Sequence, residues 1–273
     1  MNRILLFLLL ICTTLSFAQT FVSTNPENKN VILEEFTGIS CTYCPDGHKI
    51  GQQLHDNNPN DVFLINIHTG GYASPQGPGT DFNTSFGSAI SNQSGTCGYP
   101  AGTVNRRDFT AQGWNQTSQG PPPCSATTAM SRGEWSTAAQ SMLAEPSPVN
   151  VGIQATVDLG TGILTVDVEV YYTGTQTVPS NKLNVAIVQN NILGPQTGGS
   201  SYNPTAIDPA TGLYTHNHML RHMLTGQWGE SISNISQGTL YSNSYTWNIP
   251  DQISGYPLSP RIDPTKLAII AYV

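Results

Sequence analysis

Two cysteines three positions apart, Cys41 and Cys44, stand between an apolar run and a helix pattern, and this placement restricts the chain more than any other feature. "NVILEEF" (30–36) is β-rich and apolar, which predicts a buried strand. "PDGHKIGQQLHDNN" follows with Ile50 and Leu54 on one helical face, and Asn57-Asn58-Pro59 ends it. "DVFLINIH" (61–68) reads as a second strand. Strand, helix and strand at this spacing form a βαβ unit, which implies a parallel pair.

A cysteine at the N-terminus of a helix meets unpaired N–H groups and the positive end of the dipole, and both stabilise a thiolate. Cys41 is then expected as the exposed attacking sulfur, with Cys44 one turn further in as the resolving one. Pro45 fits the first turn, where its missing N–H has no helical partner anyway. Two other readings stand beside this one. The pair is an inert local disulfide, or Cys41, Cys44 and His48 supply three zinc ligands at suitable spacing, though no second CxxC or close histidine pair offers the fourth.

The chain has 10 basic and 17 acidic residues, a balance that argues against nucleic acid and against anionic membrane surfaces. Residues 1–18 read as a signal peptide: Arg3, the apolar run Ile4–Ile11, and Ser16-Phe17-Ala18 as a cleavage site. Cys12 follows a large Ile11, which does not suit lipid attachment. No later segment is apolar and long enough to be a transmembrane helix. Export leaves Cys41, Cys44, Cys97 and Cys124 in an oxidising compartment, where an even count suits disulfides.

Beyond the βαβ unit, "DFNTSFGSAISNQ" and "RGEWSTAAQSMLAE" read as helices and "GYPAGTVNR" as a short strand. "EPSPV" is a linker. From Val149 the pattern changes to short alternating strands, as in "GILTVDVEVYYT" and "KLNVAIVQNNIL". One interruption, "THNHMLRHMLTGQWG", looks helical. The expected organisation is a signal peptide at 1–18, an α/β domain at 19–146 and an all-β sandwich at 147–273. The final "KLAIIAYV" reads as the middle of a strand, so the second domain is expected to be truncated at its C-terminal end.

The CxxC stretch resembles the thioredoxin fold. In that family a buried acid lies six residues before the first cysteine, and Glu35 stands there, followed by Phe36. The family also sets a cis-proline opposite the CxxC, at the head of a later strand, and Tyr99-Pro100 falls at that point in chain order. The resemblance implies that Glu35 moves a proton for Cys44 and that Tyr99-Pro100 aligns a bound peptide. Two departures bear on redox direction: Ser40 replaces the usual aromatic, and Thr42-Tyr43 separates the cysteines in place of Gly-Pro. Over nearly all the mature chain, "VILEEFTGISCTYCPDGH", "GYPAGTVNR" and "THNHMLRHMLTGQWGE" resemble Bacteroidetes outer-membrane proteins named after a twenty-eight-kilodalton antigen. That likeness implies a thioredoxin-like α/β domain followed by an Ig-like β domain, and outer-membrane or surface association.

Cys97 and Cys124 are expected to form a structural bridge, the sharper alternative making Cys97 a relay sulfur. Glu35 is either a proton acceptor or a plain strand-edge carboxylate. His216, His218 and His222 are expected to pack and hydrogen-bond within the β domain rather than bind metal. "GGYASPQGPG" lacks the Lys and following helix of a phosphate loop and is expected to lie near the CxxC. No cofactor is expected. Two functions remain open. One is thiol–disulfide exchange on the thiols or disulfides of exported proteins, with Cys41, Cys44 and Glu35 as the chemical groups. The other is a non-catalytic surface binding or adhesion protein that keeps the CxxC as a structural disulfide.

Overall fold

The computed structural model of the protein describes residues 21–273, so the expected signal peptide, its cleavage site and Cys12 lie outside the described residues. The chain is a mixed α/β protein, largely sheet with few helices. In order, its first half runs β1 (Glu27–Asn28), β2 (Val31–Thr37), α1 (Cys44–Asn57), β3 (Val62–His68), α2 (Gly87–Ser94) and β4 (Ala101–Val104). It continues through β5 (Asn115–Ser118), β6 (Cys124–Ser131), α3 (Trp135–Leu143) and β7 (Pro146–Ser147). The second half runs β8 (Val149–Asp158), β9 (Ile163–Tyr172), β10 (Asn181–Gln189), β11 (Ile192–Gly194) and the single turn α4 (Gly199–Tyr202). It ends with β12 (Tyr214–His216), β13 (Met219–Met223), β14 (Glu230–Ile232), β15 (Leu240–Asn248) and β16 (Leu267–Tyr272).

β2 and β3 pair in parallel over their whole length, from Val31 opposite Val62 to Thr37 opposite His68. β4 flanks β2 antiparallel on its other edge. β2 therefore lies inside the sheet and is buried on both faces. Alternation divides its side chains. Val31 and Leu33 face a core with Leu54 of α1 and Trp135 of α3. Ile32 and Phe36 face the opposite core with Ile65, Ile67 and Ile90. Glu35 and Thr37 share the face of Val31 and Leu33, which turns them toward α1.

The same sheet continues into the second half of the chain. β13 meets β3 in parallel at Met219 and Asn66, and β10 pairs with β13, β14 and β16. Strands from before and after residue 147 thus share one hydrogen-bonded sheet of nine strands. β15, β9 and β8 form a separate antiparallel sheet. Its alternating inward residues Leu164, Val166, Val168 and Val170 pack on Leu183, Val185 and Ile187 of β10.

One element differs from the sequence reading. "THNHMLRHMLTGQWG" is two strands and a turn, not a helix. Its i, i+3, i+4 spacing of His, Met and Leu fits a helix, but pairing with β10 and β3 overrides that local preference. His218 adopts a left-handed φ of 54°, which a helix interior would not accommodate. β5 and β6, which small and polar residues make hard to recognise, extend the sheet beyond β4.

Candidate functional site

Cys41 and Cys44 are joined by a disulfide with a Cα–Cα separation of 5.4 Å, in the turn that leads into α1. The helix begins at Cys44, so Cys41 lies in the turn ahead of it. Pro45 and Asp46 occupy the first helical turn, and Lys49 and Arg132 both bond the Asp46 carboxylate. The hydrogen bond from Lys49, with help from Arg132, holds that carboxyl below its usual range.

Cys41 is only 3% exposed, which corrects the expectation of an open attacking sulfur. The covering segment comes from the second half of the chain. Gln196 Nε2 donates to the carbonyls of Gly38 (3.2 Å) and Cys41 (3.1 Å), and Thr197 N donates to Ile39 O at 2.8 Å. Gly198 then crosses Thr42 so closely that a Cβ would lie 2.1 Å from its carbonyl oxygen. Gly198 also has a φ of 77°, and both conditions call for glycine. Tyr202 meets the ring of Tyr43 at 5.1 Å. From the other side, Tyr72 O accepts from Ser40 N, and Gln76 Nε2 donates to Ser40 Oγ. The glycine- and proline-rich loop thus lies beside the CxxC turn. Thr42 and Tyr43 remain exposed.

Glu35 is 1% exposed and lies beneath α1. Its Oε1 is 2.6 Å from where a Cβ on Gly47 would be, so glycine at 47 makes room for the carboxyl. Position 47 is one turn beyond Cys44 on the same helical face. Burial raises the Glu35 pKa well above the usual carboxylate range, and the more distant Arg132 charge opposes this only in part. Pro100 also approaches Gly47, and the Tyr99–Pro100 peptide is cis. Tyr99 packs edge-on against Tyr72.

Beside Glu35 lies a polar cluster built from both halves of the chain. His48 Nε2 is 2.8 Å from Thr37 Oγ1 and 3.7 Å from Glu35 Oε1, while its Nδ1 is 3.0 Å from the Tyr214 hydroxyl. Both zinc-competent groups of the CxxC are therefore engaged, the sulfurs with each other and His48 with Thr37 and Tyr214. His216 packs against His48, His68, Phe82 and Tyr214. His218 bonds Gln52 of α1. His222 stacks on Trp247 and His216 bonds Pro195 O, both as expected within the β region, though His222 also packs edge-on against Phe86 of the first half. His216 and His218 turn to the first half because β13 joins β3. Burial pushes His48 and His216 down to about 3 and His68 well below its ordinary value, so all three rings are neutral. They line a cavity of about 360 Å³ together with Gln52, Asn66, Asn203 and Tyr214.

Cys97 and Cys124 are also bridged, with Cα atoms 5.7 Å apart. Nothing in the local sequence marks Gln196, Asn203 or Tyr214 as site residues, since Gln196 and Tyr214 bond Cys41 and His48 from over 150 positions away and Asn203 bonds Tyr214. His68 carried a faint sign, as a polar residue closing an apolar strand.

A disulfide at a helix start, above a buried carboxyl, and a second disulfide among the described residues define a mixed α/β protein suited to oxidising surroundings. Residues 87–272 match the family described as outer membrane protein Omp28, and the chain belongs to that family. It is accordingly an exported protein of the outer membrane or cell surface. Among the described residues no helix is long and apolar enough to cross a membrane. The fold is similar to that of HBP35 of Porphyromonas gingivalis, with a TM-score of 0.56, 16% identity, and coverage of 89% of this chain and 75% of that one. A protein from Agrobacterium tumefaciens, AGR_C_4864, aligns with a TM-score of 0.47 at 9% identity, over 89% of this chain and 95% of that one. No curated protein matches the sequence.

Proposed function

We propose that the first half of the chain is a thioredoxin-like module that carries out thiol–disulfide exchange on exported proteins. Cys41 attacks, Cys44 resolves, Glu35 exchanges the proton with Cys44, and Tyr99-Pro100 aligns the peptide. The observation that carries this reading is the buried Glu35 carboxyl packed against Gly47, the residue one helical turn beyond Cys44. A carboxyl with a raised pKa suits proton transfer to and from a thiol near neutral pH. A purely structural pair has no need of it, and an unpaired buried carboxyl opposes folding. The expected division at residue 147 becomes, in this reading, the limit of the redox module. The second half is its Ig-like sandwich partner, formed by the β8–β9–β15 sheet and the strands around β10.

A second reading is favoured by the coverage of Cys41. A sulfur 3% exposed suits a structural staple in a surface binding protein of the outer membrane. The reduction potential of the 41–44 pair separates the two. A value near or above about −230 mV supports exchange, and one below about −300 mV supports the staple. Insulin reduction by the wild-type protein, abolished by Cys41→Ser, is the matching activity assay.

A further inference from the structure

His48 bonds two groups and lies close to a third, and its hydrogen positions follow from the groups around it. The Thr205 hydroxyl donates to Asn203 Oδ1 at 3.0 Å, which leaves the Asn203 amide nitrogen to donate to the Tyr214 hydroxyl at 2.9 Å. The Tyr214 proton then has one acceptor among the described residues, His48 Nδ1 at 3.0 Å. A neutral imidazole that accepts at Nδ1 carries its proton on Nε2. That N–H points into the space shared by Thr37 Oγ1 at 2.8 Å and Glu35 Oε1 at 3.7 Å. Glu35 Oε1 has no hydrogen-bond partner of its own among the described residues.

We propose that His48 is a positioning residue whose Nε2–H, fixed by Tyr214 and Asn203 from the second half of the chain, is held ready for the ionised Glu35 carboxylate. This rests on the exchange reading given above. While Glu35 is protonated, the Nε2–H bonds Thr37. When Glu35 loses its proton, a shift of under an ångström brings the same N–H onto Oε1. A neutral donor is what the site needs, because a buried unpaired carboxylate is heavily penalised.

The step served is the resolving one. Glu35 carboxylate takes the proton of the Cys44 thiol, and the thiolate attacks Cys41 within its mixed disulfide with the substrate. The Cys41–Cys44 bond forms as the substrate thiolate leaves. Overall the two protein thiols, first generated from the Cys41–Cys44 disulfide by an external dithiol reductant, are oxidised and the substrate disulfide is reduced. The other groups that face this pair do not replace His48. Arg132 acts on Glu35 only at a distance, since it is bonded to Asp46. His216 donates from Nε2 to Pro195 O, and His68 lies beyond His216. His218 is engaged by Gln52, and Tyr214 is committed to His48.

The test combines histidine side-chain nitrogen NMR with carboxyl-carbon titration of Glu35, on the full mature chain. Wild type is expected to show His48 as the Nε2–H tautomer. In Tyr214→Phe the ring should populate both tautomers, and the Glu35 midpoint should rise by up to about one pH unit, the loss of one hydrogen bond to a charged group. His48→Gln keeps an amide donor and should hold the midpoint near wild type, whereas His48→Leu should raise it. An Nδ1–H tautomer in wild type, or a Glu35 midpoint unmoved in both Tyr214→Phe and His48→Leu, overturns the proposal. Neither readout needs catalysis. A staple-like potential with no insulin reduction would remove the exchange reading and leave the tautomer result to stand or fall alone. If exchange is active, the pH profile of Tyr214→Phe should shift upward with the Glu35 midpoint.

Discussion

The side-chain amide of Gln196 donates to the backbone carbonyl of Cys41 across 155 positions of sequence, at 3.1 Å. The same nitrogen reaches Gly38 O, so one side chain ties both ends of the turn that contains the first cysteine. The second half of the chain is thereby fastened over the turn that holds the sulfur. Gln196→Ala removes both bonds, each worth about 1 kcal/mol net. After mild reduction, Cys41 alkylation should accelerate by roughly 5- to 30-fold in this variant, with the unfolding free energy lowered by no more than about 2 kcal/mol. Gly198→Ala should do more, since its Cβ collides with Thr42. Unchanged labelling rates in both variants would show that this segment does not gate Cys41.

The Cys97–Cys124 bridge ties the segment before Pro100 to β6. Closing a loop of its size contributes about 3 to 4 kcal/mol by the chain-entropy argument. Replacing both cysteines by Ser should lower the unfolding free energy by that order in urea. Insulin reduction at 25 °C should persist if the bridge is only structural. A folded double variant without activity would instead assign Cys97 to the redox chemistry.

What the sequence disclosed depended on how local the signal was. The βαβ unit was legible because β2, α1 and β3 each carry their own period and their own turn residues. Export and an even count pointed to disulfides, the CxxC spacing suggested Cys41 with Cys44, and the bridge between Cys97 and Cys124 was an expectation the count alone does not fix. The strands at 214–223 were not, because Met219, Leu220 and Met223 are spaced as a helix would space them and only their neighbours in the sheet decide otherwise. The cover over Cys41 was also out of reach. Gln196, Thr197 and Gly198 form a polar, glycine-rich loop like many others, and their role arises from the sheet that carries β10 and β13 alongside β3. Burial of Glu35 was implied by the thioredoxin resemblance, but its histidine neighbour on α1 bonds to Tyr214, which no spacing rule brings near.

Glu34 lies on the other face of β2 and is paired with Arg106, whose Nε and Nη2 reach its two oxygens at 2.7 and 2.6 Å. The Tyr272 hydroxyl joins the same carboxylate. Glu34 is 2% exposed, so desolvation offsets much of the attraction. The pair is therefore expected to matter more when broken than when absent. Arg106→Leu should destabilise by about 3 kcal/mol or more, because it strands a buried carboxylate. Glu34→Leu with Arg106→Leu should recover most of that loss. A double variant no more stable than Arg106→Leu would argue that the ion pair itself carries the stabilisation.

Acid should unfold this protein earlier than its carboxylates alone would require. His48 and His216 titrate at about 3 in the folded chain and His68 lower than its ordinary value, all because burial disfavours the charged ring. Once unfolded, each takes up a proton near pH 6.5. Below that pH the unfolded state binds more protons, so stability falls as pH falls, by up to about 1.4 kcal/mol per unit for each histidine. Glu35 acts in the opposite sense. Its folded pKa is raised, so between the unfolded carboxylate value and its own it binds a proton only when folded, and acidification through that window adds stability. His218, pushed down to about 4 by burial, and His222, also lowered by burial, act in the same sense, so the histidines outweigh the one carboxyl and stability falls between pH 6.5 and 5. Most other carboxylates remain ionised there, which isolates the effect. Urea unfolding at pH 7, 6 and 5 should show the decline, and Glu35→Gln should steepen it by removing the opposing group. A stability that stays level from pH 7 to 5 in both proteins would mean that these rings are solvated enough to charge without unfolding the chain.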